Sequence, residues 1–219
     1  MNKKIYLSPS NQDGNLYAYG DTNEMEQCNR IAEYAKIALE RCGFAVKKAP
    51  KGQRMFTSIE ESNKWGADLH ISIHTNAFDG EASGTVVFVY DTDSEVMKLA
   101  RPIYNYVQSV AIGTTDYGIR QAPELAEIND TTALAVYIEV DFHDNKEVAE
   151  WLIAHPELVG KAICMGVCEG YGVEYIPEKT HDIYKVQVGA FIDKKKADTL
   201  LAKLKQQGYN DAFITVKRS

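Results

Sequence analysis

One stretch of the chain decides its fold: Ala67-Asp68-Leu69-His70-Ile71-Ser72-Ile73-His74-Thr75-Asn76-Ala77. Apolar and polar residues alternate along it, as is typical of a β-strand, so residues 70, 72 and 74 share one face of the strand. His74 is the last residue before the chain turns. Ligands and metals gather at the carboxyl ends of strands in open α/β sheets, where imidazole is a common metal ligand. His70 lies deeper in the apolar run, and we expect it to be a packed core histidine.

A second strand is predicted over residues 133–142, which are apolar on both faces as in a central parallel strand. Glu139 interrupts this run, and a carboxylate is costly to bury unless it is paired, metal-linked or catalytic. The alternative is that Glu139 caps the next helix. His143 follows directly after the strand, and it is either a spare metal-binding imidazole or part of the turn before a helix over residues 146–154.

A third candidate residue, Glu24, opens a predicted amphipathic helix. Thr22 and Asn23 offer a helix cap, and apolar residues recur over residues 24–41 at helical spacing. A carboxylate in the first turn is either a ligand or a side chain that interacts favourably with the helix dipole. The loop just before this helix, residues 10–15, consists of turn-forming residues and follows the first predicted strand, Ile5–Pro9.

The remaining domain elements are predicted from periodicity and turn residues. We expect strands over residues 44–46 and 84–90, and a helix over residues 57–65 that opens with a capping box of Ser58 and Glu61. A helix over residues 94–110 either begins or bends at Pro102. The last helix of the domain covers residues 156–173.

The composition limits the class of protein. The chain has 219 residues, 45% of them apolar, which predicts one domain with a sizeable core and room for a small appendage. The net charge of −7 argues against nucleic acid as the main partner. The N-terminal apolar patch is too short for a signal peptide, and no stretch predicts membrane insertion. The cysteines lack metal-ligand spacing, so we expect reduced structural thiols at Cys28, Cys42, Cys164 and Cys168.

The run Ser72-Ile73-His74-Thr75-Asn76-Ala77 resembles the S-I-H-x-N-A signature of the zinc-dependent N-acetylmuramoyl-L-alanine amidases, the Amidase_3 family. Three other blocks resemble that family in the same order: the first strand at Ile5–Pro9, an acidic ligand at Glu24, and a late strand whose Glu139 matches a catalytic glutamate. The resemblance implies an α/β fold, with a twisted, mostly parallel sheet flanked by helices. It also implies a Zn²⁺ cofactor held by Glu24 and His74.

One ligand position departs from the family. Asn11 stands where the resemblance implies the first zinc-binding histidine. An amide oxygen is a poor substitute for imidazole on zinc. We therefore expect either weaker affinity with Asn11 as a third metal ligand, a water molecule in the vacancy, or replacement by another side chain such as His143.

The tail predicts a second, smaller unit. We expect a catalytic domain over residues 1–174, a linker over 175–182, and a β-α-β unit over 183–219 with a strand at 184–191, a helix at 194–207 and a strand at 212–216. The V-Q-V-G-A-F block resembles half of a sporulation-related (SPOR) repeat, which implies binding to glycan strands stripped of their peptides. One half-repeat buries little surface, so we expect it to form a homodimer or to pack on the catalytic domain.

The function implied by the resemblance is hydrolysis of the amide between N-acetylmuramic acid and L-alanine in peptidoglycan. Two alternatives remain at this point: an inactive peptidoglycan-binding module, and a zinc peptidase that cuts the stem peptide. The expected partner is peptidoglycan, with neither nucleic acid nor membrane insertion. A lytic enzyme of this kind, an endolysin or autolysin, would be made in the cytoplasm without a signal peptide and act on the wall after release.

Overall fold

A computed structural model describes residues 3–93, 95–178 and 186–216 of the chain. The chain folds into two compact units, Met1–Glu178 and Lys179–Ser219. The predicted domain and linker bounds stay predictions, since part of the proposed linker, residues 179–182, lies outside the described residues.

The first unit alternates strands and helices, as an α/β fold requires. Its elements are β1 (Lys4–Pro9), α1 (Glu24–Arg41), β2 (Ala45–Lys48), α2 (Met55–Trp65), β3 (Leu69–Asn76), β4 (Val86–Val89), α3 (Met97–Val110), β5 (Ile119–Gln121), α4 (Ala126–Asn129), β6 (Leu134–Phe142), α5 (Lys146–Ala154) and α6 (Pro156–Tyr171).

The strands form one six-stranded sheet in the order β2-β1-β3-β6-β4-β5. Every neighbouring pair is parallel except β4 and β6, which run antiparallel. The predicted α/β fold with a mostly parallel sheet is therefore confirmed. The alternating stretch around His74 forms β3. This strand lies between β1 and β6, so its carboxyl end lies between theirs.

The two faces of the sheet have different chemistry. On one face, alternate residues of β1, β3 and β6 are apolar and pack in the main core with α1, α3, α5 and α6. The helices approach closely at glycines: a Cβ on Gly160 would come within 2.7 Å of α1, and a Cβ on Gly166 within 2.4 Å of α3. The other face carries polar and aromatic side chains at Tyr6, Ser8, His70, Ser72, His74, Tyr137 and Glu139, in the registers that pair these strands.

Three local predictions differ from the structure. The capping box at Ser58 is wrong, because α2 begins earlier, at Met55; Ser58 is buried within the helix, and the Glu61 carboxylate accepts a hydrogen bond from the Tyr6 hydroxyl at 2.8 Å. Pro102 lies inside α3, so the alternative that the helix begins there is wrong. As a proline it lacks the backbone N–H that would bond the carbonyl four residues earlier. β6 is parallel only to β3, since β4 lies antiparallel on its other side.

In the second unit the structure describes one helix, α7 (Lys194–Gln206), close to the predicted helix. Within residues 186–191 and 212–216 no strand is assigned, and residues 184–185 of the first predicted strand lie outside the described residues. Apolar side chains of these segments are largely exposed, Val188 to 61% and Phe213 to 71%.

Among the described residues no single helix is long and apolar enough to cross a membrane. Helices α5 and α6 pass such a test only together, by length and composition, as a pair bent by 77°. Both contribute side chains to the main core of the first unit.

Candidate active site

Strand register brings two of the predicted site residues together. His74 of β3 lies opposite Glu139 of β6 in the register, so the two side chains are next to each other on the polar face. A register shift follows between His74 and Asn76, after which Asn76 pairs with Phe142. The site is therefore at the carboxyl end of the central strands, where an α/β sheet is expected to bind its ligands.

The third predicted residue arrives from the helix side. Asn23 caps α1 by accepting a hydrogen bond from the Glu26 backbone N–H, which places Glu24 in the first turn. One oxygen of Glu24, Oε1, lies 2.8 Å from Nδ1 of His74, and the other, Oε2, accepts a hydrogen bond from Asn15 at 2.6 Å. Glu24 is only 1% exposed. The structure thus assembles Glu24, His74 and Glu139 from segments far apart in the sequence.

Sequence reasoning missed a third carboxylate, Glu127. It lies on the short helix α4, is 4% exposed, and its Oε2 lies 3.5 Å from Nε2 of His74. Its other oxygen accepts a hydrogen bond from the Ser8 hydroxyl and lies 3.4 Å from Nε2 of His70. Four residues cannot show a helical period, so the segment before β6 gave no pattern beyond a loop and short strand.

The charges of these groups depend on one another. Burial alone would lower the pKa of His74, but its hydrogen bonds with Glu127 and Glu24 raise that pKa to about 10. Burial alone would raise the pKa of Glu127, but its hydrogen bonds with His70 and His74 lower that pKa to about 2. In the metal-free site the imidazole is therefore a cation between two carboxylates.

Glu139 differs from the other two carboxylates. The pKa of Glu139 is raised to about 8, mainly by burial. The positive charge of His74 lowers this pKa, and the negative charge of Glu24 raises it. Among the described residues its Oε2 has no hydrogen-bond partner. A buried carboxyl oxygen without a partner is costly in a purely structural role. The alternative prediction, that Glu139 caps the next helix, is wrong, because Asn145 caps α5.

A cavity of about 180 Å³ opens beside His74. Its wall includes the ring of Tyr137, which stacks on the imidazole of His74 with a centroid distance of 4.4 Å. Met55 and Leu125 add apolar surface, and the loop after β1 adds polar surface through residues 10–12. A ligand in this cavity would therefore meet an apolar wall, the His74 imidazole and the Glu127 carboxylate.

The candidates for the missing ligand occupy different places. Asn11 lines the cavity, whereas the neighbouring Gln12 amide reaches to 3.4 Å from Nδ1 of His74. His143 is engaged elsewhere: its Nδ1 lies 2.9 Å from the Thr75 carbonyl oxygen, and its ring stacks on Tyr17 at 5.1 Å. These contacts favour the interpretation of His143 as part of the turn. The metal role of Asn11 stays a prediction.

The donor set fits a divalent metal ion. Imidazole and carboxylate are ordinary zinc ligands, and His74 Nδ1 and Glu24 Oε1 are near enough to bind one ion together. The partnerless oxygen of Glu139 adds a nearby group that a cation or a polarised water would satisfy. The described contacts of these carboxylates and of Glu127 include no lysine or arginine.

Three of the four cysteines form a separate group. The Sγ atoms of Cys42, Cys164 and Cys168 lie within 4.8 Å of one another, an arrangement of residue types that could hold a metal. All four cysteines are free thiols in this structure. Glu24 begins α1 and Cys42 follows its last residue, so 18 residues of helix, roughly 27 Å, separate the thiols from the His74 site.

The fold and the assembled residues define an α/β domain with a buried histidine and carboxylate site at the carboxyl end of its sheet. The N-acetylmuramoyl-L-alanine amidase family (Amidase_3) matches residues 10–169, and the SPOR domain matches residues 169–218. The chain belongs to this amidase family and carries a SPOR domain at its C-terminal side.

Individual relatives are consistent with this family. The chain is 28% identical over 159 residues to the N-acetylmuramoyl-L-alanine amidase CwlM of Bacillus licheniformis, a match that covers 72% of the chain and 60% of CwlM. It is 27% identical over 159 residues to the sporulation-specific N-acetylmuramoyl-L-alanine amidase of Bacillus subtilis (strain 168), covering 71% of the chain and 60% of that relative. The chain thus spans 60% of the length of these two curated relatives.

Solved structures share the fold. The catalytic domain of CwlV, an amidase from Bacillus (Paenibacillus) polymyxa var. colistinus, superposes with a TM-score of 0.71 at 19% identity, covering 78% of this chain and 99% of that domain. The catalytic domain of the CD27L endolysin targeting Clostridia difficile gives a TM-score of 0.62 at 25% identity, covering 76% of this chain and 97% of that domain.

Proposed function

We propose that the chain is a zinc-dependent N-acetylmuramoyl-L-alanine amidase, which hydrolyses the amide bond between N-acetylmuramic acid and L-alanine in peptidoglycan. The observation that carries the proposal is the pairing of His74 with Glu139 across β3 and β6, with Glu24 2.8 Å from the imidazole. Family membership over residues 10–169 supports the same activity.

Glu24 and His74 would hold the zinc ion, with Asn11 at the third position that the family resemblance assigns. When bound, zinc supplies a Lewis acid for the scissile carbonyl and lowers the pKa of water. Replacement of the family's histidine by an amide leaves two strong ligands, so we expect lower zinc affinity than a site with two imidazoles would have.

Glu139 is the proposed proton carrier. It accepts a proton from the attacking water as oxygen adds to the carbonyl carbon, and then delivers that proton to the nitrogen of the breaking C–N bond. The amine leaves with the L-alanine of the stem peptide, and the carboxylate stays on the lactyl group of the sugar.

The test compares metal content with wall hydrolysis in matched variants. Protein purified without chelator should carry about one zinc per chain and clear a suspension of purified walls. Glu139→Gln should keep the zinc and lose turnover, whereas Glu24→Gln should lose both. Glu26→Gln is the control, since Glu26 lies on the same helix but pairs with Lys51 at the surface. Retained clearing by Glu139→Gln would exclude Glu139 as the base.

A second candidate function is an inactive wall-binding module, which Asn11 at the family's histidine position favours. This alternative predicts sedimentation with purified walls in the absence of zinc and of any clearing. Chelated wild-type protein separates the two functions: the amidase regains clearing when zinc is restored, and the binding module does not.

The SPOR match supports glycan binding by the second unit. We propose that this unit forms a homodimer, because its described apolar side chains are largely exposed. Light scattering on the full chain tests dimerisation, and a monomer at all concentrations contradicts it. The expected route, synthesis in the cytoplasm and action on the wall after release, is tested by fractionation of producing cells.

A further inference from the structure

We propose that Glu127 is a positioning residue of the metal site, which holds His74 in the tautomer and orientation that present Nδ1 to the metal. This inference rests on the proposed zinc function and concerns a residue outside the three predicted ligands. It follows from the contacts of the two ring nitrogens of His74.

The two nitrogens of His74 face different carboxylates. Nδ1 lies 2.8 Å from Glu24 Oε1, and Nε2 lies 3.5 Å from Glu127 Oε2. The lone-pair directions of the two nitrogens diverge, so one metal ion can bind only one of them. A metal shared with Glu24 must bind Nδ1, which leaves Nε2–H to donate to Glu127. Histidine ligands commonly have a carboxylate partner of this kind, which fixes the ring and raises its basicity.

Glu127 is itself held in place. Its Oε1 accepts a hydrogen bond from Ser8 of β1 and lies 3.4 Å from Nε2 of His70, which leaves Oε2 for His74. Glu127 is 4% exposed, which limits competition by water for these contacts. The stacked ring of Tyr137 prevents the imidazole of His74 from tilting out of its plane. The contact with Glu127 then limits rotation of the imidazole within that plane.

The same geometry argues against Glu127 as the missing third ligand. A ligand must approach the metal on the Nδ1 side of the ring, where Glu24 and the Gln12 amide lie. Glu127 lies on the Nε2 side. Its effect on the metal is therefore transmitted through the imidazole.

The experiment measures zinc affinity by competition with a chromophoric chelator on the full chain, at fixed pH. Glu127→Ala should weaken zinc binding by about 10- to 100-fold, the usual cost of removing such a partner. Glu127→Gln should lose less, because the amide oxygen still accepts from Nε2–H without the charge. The control is Glu61→Gln, which removes a carboxylate that accepts from Tyr6 on the same face of the sheet but does not contact His74.

Cobalt substitution separates positioning from ligation. The visible absorption of Co²⁺ reports the number and type of its ligands, so it should keep its shape in Glu127→Gln while the affinity falls. A spectrum that changes as on loss of a ligand, or a zinc affinity equal to that of wild type in both variants, overturns the inference. If the wild type binds zinc and clears walls, and both Glu127 variants bind zinc equally well, the role of Glu127 is wrong but the proposed function stands. A wild-type chain that binds neither metal overturns the proposed function as well.

Discussion

Glu139→Gln should stabilise the metal-free protein at neutral pH, although it removes the proposed catalytic base. Burial raises the pKa of Glu139 from 4.5 to about 8. An acid with a raised pKa binds its proton more tightly in the folded state, so its contribution to stability is present below pH 4.5 and is lost as the pH rises towards 8. Gln cannot ionise and avoids this loss.

The size of the effect follows from the same two values. At pH 7 Glu139 is ionised in the unfolded chain and protonated in the folded chain. This difference lowers the free energy of unfolding of the wild type by about 3 kcal/mol relative to low pH. At pH 5 the cost is only about 1 kcal/mol. For a unit of this size each kcal/mol shifts the melting temperature by roughly 2–4 °C, so Glu139→Gln should melt roughly 6–12 °C higher than the wild type at pH 7.

The assay is thermal unfolding of chelator-treated protein by circular dichroism, at pH 5 and pH 7. Glu61→Gln serves as the control, because hydrogen bonds from Gln53 and Tyr6 lower the pKa of Glu61 and the substitution should not stabilise. An equal shift for Glu139→Gln at both pH values, or a lower melting temperature than the wild type at pH 7, would refute the reasoning.

Three further predictions concern the metal, the helix packing and a cap. Asn11→His should raise zinc affinity at least about tenfold in the chelator competition, since imidazole replaces an amide at the family's ligand position; unchanged affinity would place the third ligand elsewhere. Gly166→Ala should destabilise the first unit by about 3 kcal/mol in urea unfolding, because the new Cβ would lie 2.4 Å from Ile103. Asn145→Ala should cost about 1 kcal/mol in the same assay, through loss of its hydrogen bonds to the Glu147 and Val148 backbone at the start of α5.

The elements that position the site could be predicted from the sequence. The alternation around His74 and the apolar run around Glu139 correspond to β3 and β6, and the cap at Asn23 precedes α1 as predicted. These signals are local, because periodicity and capping depend on residues within a few positions of one another. The resemblance to the family then placed three side chains at one edge of the sheet.

What the sequence did not predict depends on contacts between distant segments. Glu127 gains its importance from Ser8, His70 and His74, and none of these is near it in the chain. The antiparallel pairing of β4 with β6 likewise depends on tertiary contacts, and the four-residue sequence of β4 does not predict it. The capping box failed because the Glu61 side chain is used by Tyr6 instead of by the helix terminus.

Mass spectrometry of the products from purified peptidoglycan tests the central claim most directly. We predict that the zinc-loaded wild type releases intact stem peptides with a free L-alanine amino terminus and leaves glycan strands with unsubstituted lactyl groups. Glu139→Gln should release neither. Peptides that lack L-alanine, with that residue retained on the sugar, would identify a stem-peptide peptidase and contradict the amidase account. Walls that are bound but yield no products would support the binding module.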